Sequence, residues 1–156
     1  MSTAFQILLN DFATARNMTI EPSSYGLEFE CEGHTVMVVE HPLHADHALA
    51  EVTVASLPPD PPARALALIL QINEAARFEH DWTILLDGEQ QVTISTRVAL
   101  TGLSDGDLEA LMADGVTRAQ ALLDLLNSLD EATGGALPSA EEADPRDTFM
   151  PMNMRA

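Results

Sequence analysis

The sequence predicts an α+β fold in the order helix, three strands, helix, two strands, helix, with the helices packed on a mostly antiparallel twisted sheet. Runs with apolar residues at alternate positions predict the strands, and runs with apolar spacings of three and four predict the helices. Short links between the first three strand-like runs favour an antiparallel meander. With 156 residues, 46% of them hydrophobic, the chain is long enough for one domain with a buried core.

The first predicted helix covers residues 3–18 and is amphipathic. Thr3 and Gln6 fit a capping box, in which side chains bond the free N–H groups at the start of a helix. Its apolar stripe has the spacing i, i+3, i+4, i+7 and consists of Phe5, Leu8, Leu9 and Phe12. Either this stripe simply covers the sheet, or one edge of it also lines a groove for a partner.

Three strand-like runs follow, at residues 27–32, 34–41 and 49–57. In the first, Leu27, Phe29 and Cys31 alternate with glutamates, which is typical of a half-buried strand. The second includes Val36 and Val38 and is apolar on both faces, as expected of a central strand. The single cysteine cannot form an internal disulfide, and its place in a strand favours a small buried side chain over a reactive thiol.

The middle helix is predicted to begin at Asp60-Pro61, with Asp as the N-cap, and to continue to residue 78. Its apolar surface is much wider than the roughly 100° stripe of a surface helix. One side packs on the sheet, and an apolar patch left on the other side usually marks an interface. We therefore predict a homodimer, although a helix enclosed within one chain is the alternative. The predicted dimer interface consists of Leu66, Leu68, Ile69, Leu70 and Ile72.

The second half of the domain is predicted to be a hairpin followed by a long helix. Strands at 82–87 and 91–100 flank Asp87-Gly88, a strong hairpin-turn signal. Ser104 and Asp107 resemble a second capping box at the start of a helix over residues 105–130. Within that helix, Asp114-Gly115 could introduce a kink or a break.

The composition changes after Gly134-Gly135, where prolines occur among acidic and small residues and no periodicity remains. We therefore predict one α+β domain over residues 1–131 and a flexible acidic tail containing Pro and Met over residues 132–156. The methionines near the end of this tail offer an adaptable apolar segment that could dock transiently.

The charge is strongly negative, with 25 Asp and Glu against 7 Lys and Arg and a formal net charge of −18. Such a field argues against nucleic-acid partners and anionic membrane surfaces and attracts basic partners. The N-terminal apolar residues are periodic and interrupted by Asp11 and Arg16, which is unlike a signal peptide. The sequence therefore predicts a cytoplasmic protein without membrane insertion.

No catalytic residue is predicted. The sequence has no Gly-rich phosphate loop, no G-x-S-x-G motif and no cysteine pair of zinc spacing, so we expect neither an enzyme nor a cofactor. The one cluster to weigh is His41, His44, Asp46 and His47, which could bind zinc or nickel. Because this stretch links two strands, a solvated loop is favoured and no metal is predicted. A small metal-binding protein is the alternative from this cluster.

The element order, size and acidity resemble those of the class I type III secretion chaperones, the family that includes the Tir chaperone. The most specific stretch is residues 65–126, with the apolar helix ALALILQINEAA, the strand WTILLDG, the strand QQVTISTRVAL and then TGLSDGDLEALM. The resemblance extends from about residue 3 to residue 130. The histidine loop and the tail lie outside the family pattern.

This resemblance implies a cytosolic homodimer that binds the N-terminal segment of a type III secreted effector. It implies that the chain keeps the segment extended and delivers it to the export apparatus, with the secretion-system ATPase as a further partner. In this family effector strands add to sheet edges, and effector apolar residues fill grooves beside the first helix. A generic protein-interaction adaptor of the same fold is the alternative. The predicted partner-binding residues are Phe5, Leu8, Leu9, Phe12, Leu27, Phe29, Val36 and Val38.

Overall fold

The computed structural model describes residues 2–18, 26–79 and 82–131, and the predicted tail lies outside them. The order of helices and strands agrees with the prediction, and the α+β fold class is confirmed. The elements are α1 (Thr3–Ala15), β1 (Gly26–Cys31), β2 (His34–Glu40), β3 (His47–Ser56), α2 (Ala63–Glu79), β4 (Thr83–Leu86), β5 (Gln91–Ala99) and α3 (Asp105–Glu131).

The five strands form one sheet in the order β1-β2-β3-β5-β4, with every neighbouring pair antiparallel. The register places Leu27 of β1 opposite Val38 of β2, and Val36 of β2 opposite Val52 of β3. The strands β1 and β4 are therefore the two edges. The long strand β3 joins the meander to the β4–β5 hairpin, with a register shift between Thr53 and Ala55.

One face of the sheet is covered by the helices and forms the core. The inward side chains of the central strands, such as Val36 and Val52, are 0% exposed, and Phe5 of α1 and Leu108 of α3 pack against this face with the same 0% exposure. The opposite face, here called the open face, carries half-buried side chains such as Met37. Within the described residues, no helix combines the length and apolarity needed to cross a bilayer.

The start of α1 differs from the prediction by one residue. Ser2, and not Thr3, is the N-cap, and its side chain accepts a hydrogen bond from the backbone N–H of Phe5 at 3.3 Å. The backbone N–H of Ser2 donates to Oε1 of Glu40 at 2.6 Å, which connects the start of α1 to the end of β2. Hydrogen bonds to Glu40 from the side chain of Ser2 and from its backbone N–H lower the pKa of the Glu40 carboxyl.

The middle helix begins at Ala63, two residues after the predicted first position Pro61. A residue that precedes proline is disfavoured in the helical region, which agrees with the position of Pro61, before Pro62, outside the helix. The carbonyl of Pro62 then accepts the first helical hydrogen bonds, from the N–H groups of Ala65 at 2.9 Å and Leu66 at 3.3 Å.

The third helix begins as predicted, with a reciprocal capping box. The Ser104 hydroxyl accepts from the N–H of Asp107 at 3.1 Å, while Oδ2 of Asp107 accepts from the N–H of Ser104 at 3.0 Å. The Ser104 side chain is the main cause of the lowered pKa of Asp107. Asp114-Gly115 does not split the helix in two, because α3 is one continuous helix of 27 residues. Gly115 instead allows close packing against Trp82.

The edge strand β4 is tied to α2 by one asparagine. Oδ1 of Asn73 accepts from the backbone N–H of Ile84 at 2.7 Å, and Nδ2 of Asn73 donates to the Ile84 carbonyl at 2.9 Å. The indole N–H of Trp82, just before β4, donates to Oδ2 of Asp114 in α3 at 3.0 Å. Side-chain hydrogen bonds therefore fix β4 to both neighbouring helices.

Candidate partner-binding and dimer surfaces

The predicted partner-binding residues on α1 and the meander lie mostly in the core. Phe29 is half-buried, whereas the other members of the set are at most 6% exposed. The stripe of α1 packs on the covered face of the sheet, which is the face that Leu27, Val36 and Val38 also line. A partner could contact these buried side chains only if α1 moved, so their role in binding stays a prediction. The buried members are Phe5, Leu8, Leu9, Phe12, Leu27, Val36 and Val38.

The side chains of α1 and β1 that a partner can reach are not those that form the core. Ile7, on the solvent side of α1, is 55% exposed. Phe29 lies in the edge strand β1, and its ring packs against that of Phe12 with 6.2 Å between ring centroids. The Arg16 guanidinium lies 3.7 Å from the centroid of the Phe12 ring and also forms an ion pair with Glu109 of α3. Arg16 therefore ties the end of α1 to α3, while the outer side of α1 and the outer edge of β1 are not covered by any other described residue.

A groove of about 490 Å³ crosses the open face of the sheet. Its apolar lining includes Met37 and Leu85, and Leu85 is 44% exposed. Carboxylates surround this apolar part, so the groove suits a peptide segment with both apolar and basic side chains. The acidic side chains that line the groove are Glu28, Glu51 and Asp87.

The predicted partner-binding residues do not include the lining of the groove on the open face. The signal was present in the residues that alternate with the core valines, because these must point to the other side of a strand. Alternation alone does not tell which strands are neighbours. The order β3-β5-β4 brings Leu85 and Asp87 to the same groove as Glu28 of β1.

The predicted dimer residues on α2 are divided between core and surface. Ile69 is 6% exposed and belongs to the core, whereas Leu70 is 69% exposed. Leu68 and Ile72 are partly buried and pack against the core, and Leu66 is half-buried. Part of the wide apolar surface is thus used within the chain, and Leu70 remains as a large apolar side chain in solvent.

An apolar groove of about 190 Å³ lies between α2, α3 and the β4–β5 hairpin. Leu125 of α3 is at this groove and is 47% exposed. Its apolar lining continues the surface of α2, because Ile72 contributes to it. The apolar residues of the lining are Ile72, Trp82, Ile84, Ile94, Ala121, Leu122 and Leu125.

The histidine loop has a defined geometry. The ring centroids of His41 and His44 are 4.7 Å apart, and those of His44 and His47 are 5.9 Å apart. The backbone N–H of Leu43 donates to Nδ1 of His41 at 3.1 Å. Nδ1 of His47 lies 2.9 Å from Oδ1 of Asp46, and this contact lowers the pKa of the Asp46 carboxyl.

The surroundings of His41 disfavour the protonated form of its ring. Desolvation lowers the pKa of His41, and nearby His44, Arg97 and His47 lower it further. Among the residues that the structure describes, no three His, Cys, Asp or Glu side chains are arranged to hold a metal ion. The loop therefore offers no preformed metal site, and the metal-binding alternative gains no support from the geometry.

A model of the Tir chaperone protein (CesT) family matches residues 8–123, from the first turns of α1 to the last third of α3. The chain belongs to this family. The match includes the histidine loop, which we had placed outside the family pattern, and ends before the predicted tail. Membership of the Tir chaperone family places the chain in a class of chaperones. No match was found among the curated proteins.

Solved structures show the same fold. The HopA1–SchA chaperone–effector complex matches with a TM-score of 0.63 and 13% identity, over 78% of this chain and 94% of that one. The ExsC–ExsE complex matches with a TM-score of 0.65 and 17% identity, over 81% of this chain and 97% of that one. The Yersinia pestis type III secretion chaperone SycH, in complex with a YscM2 fragment, matches with a TM-score of 0.58 and 19% identity. The match covers 77% of this chain and 99% of that one. The described part of this chain thus has the fold of the Tir chaperone family.

Proposed function

We propose that this chain is a cytosolic, non-enzymatic chaperone that binds the N-terminal segment of type III secreted effectors. It keeps this segment extended and competent for secretion and delivers it to the export apparatus, where the secretion ATPase is a further partner. The observation that carries this proposal is the family match across all five strands. Further support comes from the solved complexes, since the fold is like that of a chaperone bound to its effector.

The surfaces of the chain suit an extended segment. An edge strand such as β1 presents backbone N–H and C=O groups on its outer side, to which an extended segment can add as a further strand. Phe29 of this edge and Ile7 on the outer side of α1 supply apolar area that a partner can reach. We retain the buried α1 stripe as part of the proposed binding region, reached when α1 shifts as cargo enters.

The acidic groove of the open face offers a second binding surface for the extended cargo segment. Basic side chains of an extended segment would pair with Glu28, Glu51 or Asp87, while its apolar side chains contact Met37 and Leu85. The net charge of −18 steers such a segment to the surface before apolar contacts form. Binding in an extended form also prevents the effector from aggregating before export.

The proposed chaperone acts as a homodimer through α2. Leu70 is 69% exposed, and the apolar groove beside Ile72 and Leu125 continues this surface. An exposed apolar area of this kind is stabilised when a second copy covers it. The dimer also doubles the surface available to one extended effector segment.

The test is to purify the tagged chain from its own host under secretion conditions and to identify what it retains. We expect secreted proteins to be retained through their N-terminal segments. Ile7→Asp should weaken this retention, because it places a charge on the outer side of α1. Ala110→Asp is the matched control, since it adds one carboxylate at an exposed position of α3. Retention of only non-secreted proteins would contradict the proposal.

A further inference from the structure

The groove on the open face carries negative charge without a neighbouring cation. Its lining includes Glu28, Glu51 and Asp87, and among the described residues that line it none is cationic. Oδ1 of Asp87 accepts from two backbone N–H groups of its own turn. The Glu28 side chain, in contrast, is exposed and forms no hydrogen bond or ion pair with another described residue. The groove therefore favours a ligand that brings positive charge.

The register of the strands places two of these carboxylates on either side of one methionine. Glu28 of β1 and Glu51 of β3 are both paired with Met37 of β2. Paired side chains on one face of a sheet lie about 5 Å apart, so a guanidinium above Met37 would reach both carboxylates. Farther across the sheet, exposed Leu85 of β4 pairs with Thr93 of β5 and offers apolar area. The groove thus suits an extended segment that carries arginine beside apolar side chains.

Residues 146–156 of this same chain, here called the Arg–Met segment, have that composition. They contain Arg146 and Arg155, two of the seven basic residues of the chain, and three of its seven methionines, at positions 150, 152 and 154. Alternate residues of an extended chain fall on one side, and Pro151 disfavours the helical region for the residue before it. With Asp147 as its one acidic residue, the segment has a positive side-chain charge in a chain of formal charge −18.

The course of α3 brings the chain toward the groove. Gly115 lies against Val52 in the middle of β3. One and a half turns later, Oε1 of Gln120 lies 3.3 Å from Nε2 of His34, the first residue of β2. The later part of α3 therefore runs toward the end of the sheet at which β2 begins, and Thr35 at this end lines the groove.

The chain between α3 and the Arg–Met segment is long enough to reach the open face. After Gln120, α3 continues to Glu131, which is about 16 Å farther along its axis. The way back is then about 16 Å along the sheet and about 10 Å, one helix diameter, across it. Residues 132–145 span up to about 46 Å when extended. The segment can therefore reach the groove of its own chain.

We propose that the Arg–Met segment occupies the open-face groove of its own chain when no other segment is bound there. An arginine of the segment pairs with Glu28 and Glu51, and its methionines contact Met37 and Leu85. Cargo that enters this groove must displace the segment, a consequence that rests on the proposed function. The apparent affinity for cargo on this face falls in proportion to the fraction of grooves that are open.

The first test places a nitroxide on the segment, at Asn153→Cys in a Cys31→Ser chain, and records NMR spectra of the full-length protein. We expect the signals of Met37 and Leu85 to broaden much more than that of Leu43, which is 83% exposed in the loop after β2. Equal broadening of the three signals, or none, would overturn the docking.

A mixing experiment shows whose segment fills the groove. Nitroxide-bearing chain without isotopes is mixed with isotope-labelled chain without a nitroxide. Unbroadened signals of Met37 and Leu85 in the mixture support docking within one chain. Broadening of these signals in the mixture would assign the groove to the segment of another copy and contradict the proposal.

The second test asks whether the groove opens when the arginines are removed. The probe is a fluorescent synthetic peptide of residues 146–156, added to the full chain and followed by anisotropy. Arg146→Gln with Arg155→Gln should bind this peptide about fivefold tighter than wild type, because its own segment no longer fills the groove. Ala132→Glu with Ala136→Glu is the matched control, since it makes the same change in net charge within the predicted tail. Equal affinity of the glutamine variant and wild type would overturn the proposal.

The carboxylate of Glu28 gives a second check of the same site. Added to the glutamine variant, Glu28→Lys should weaken binding of the peptide about tenfold. Asp60→Lys, at an exposed position before α2, is the control and should leave the affinity within about twofold. Equal effects of the two reversals would place the peptide outside the groove. Circular dichroism checks that each variant is folded.

These outcomes are separate from those of the proposed function. The nitroxide and the peptide report on the groove without any effector, so their failure overturns the docking and leaves the chaperone proposal intact. A chain that shows docking and yet retains no secreted protein in its host would contradict the chaperone proposal alone.

Discussion

A Cβ atom on Gly115 would lie 2.6 Å from Cη2 of Trp82, so α3 passes over the indole at a distance that only glycine permits. The same Cβ would lie 3.0 Å from a methyl group of Val52 in β3. The residue before Gly115, Asp114, accepts the indole hydrogen bond at 3.0 Å. Together these contacts fix the start of β4 against the centre of α3 and the middle of the sheet.

Gly115→Ala should therefore destabilise the protein. Alanine is better than glycine in a helix interior by about 1 kcal/mol, but the added methyl has no space, and overpacking costs about 1–3 kcal/mol. We expect a net decrease in the free energy of unfolding, measured by urea denaturation. Gly106→Ala is the control, because the nearest atom to its Cβ would be the Ser104 hydroxyl at 3.8 Å. Equal stabilisation by both substitutions would show that the close approach is unimportant.

Asn73→Ala should weaken the attachment of the edge strand β4 to α2. The substitution leaves the N–H and C=O of Ile84 without the amide that now bonds both. Leaving a buried polar group unpaired costs about 1–3 kcal/mol, so we expect a loss in that range and faster hydrogen exchange at Ile84. Gln71→Ala, at an exposed position two residues earlier, serves as the control. Unchanged exchange at Ile84 in Asn73→Ala would contradict the role given to this side chain.

The stability of the fold should depend on the protonation of His41. Desolvation lowers the pKa of His41 in the folded chain, and His44, His47 and Arg97 act in the same direction, while Asp46 opposes them. The folded state then binds fewer protons than the unfolded state, so the free energy of unfolding falls as the pH drops below about 6.5.

The check is urea unfolding of wild type and His41→Gln at several pH values between about 7.5 and 5. His41→Gln should show a smaller loss of stability over this range than wild type. The carboxyls with lowered pKa, such as Asp107, lose their contribution only at lower pH and do not mask the effect. Identical pH profiles for the two proteins would contradict the prediction.

The carboxylates of the open-face groove should control how fast cargo is captured. Reversing Glu28 to Lys should slow association with a basic effector segment several-fold and reduce the salt dependence of the rate. Asp60→Lys, at an exposed position before α2, is the control for the change in net charge. Stopped-flow binding at low and moderate salt measures both quantities. An unchanged rate in the groove variant would mean that cargo does not pass over this face.

The sequence predicted the order of elements well, because the periods of the apolar residues differ clearly between strands and helices. It also predicted the Ser104–Asp107 cap, because the two partners are only three residues apart in the chain. The exact start of α2 depended on how Pro61 and Pro62 restrict the backbone together, which the Asp-Pro signal alone does not reveal.

The candidate surfaces were harder to predict. A stripe such as that of Phe5 and Phe12 shows that one side of α1 is apolar, but core packing and partner binding produce the same pattern. The structure places this stripe in the core and leaves Ile7 outside. The open-face groove depends on the order of the strands in the sheet, which local spacing does not encode.

The most direct measurement is the affinity of the purified chain for fragments of a secreted protein that it retains in its host. By isothermal titration calorimetry, the isolated N-terminal segment should bind as tightly as the full-length effector, and the remaining folded part should not bind. The bound segment should also stay without a fold of its own, as measured by rapid hydrogen exchange outside its paired strands. Binding to the folded part alone, or no binding to any secreted protein, would contradict the account.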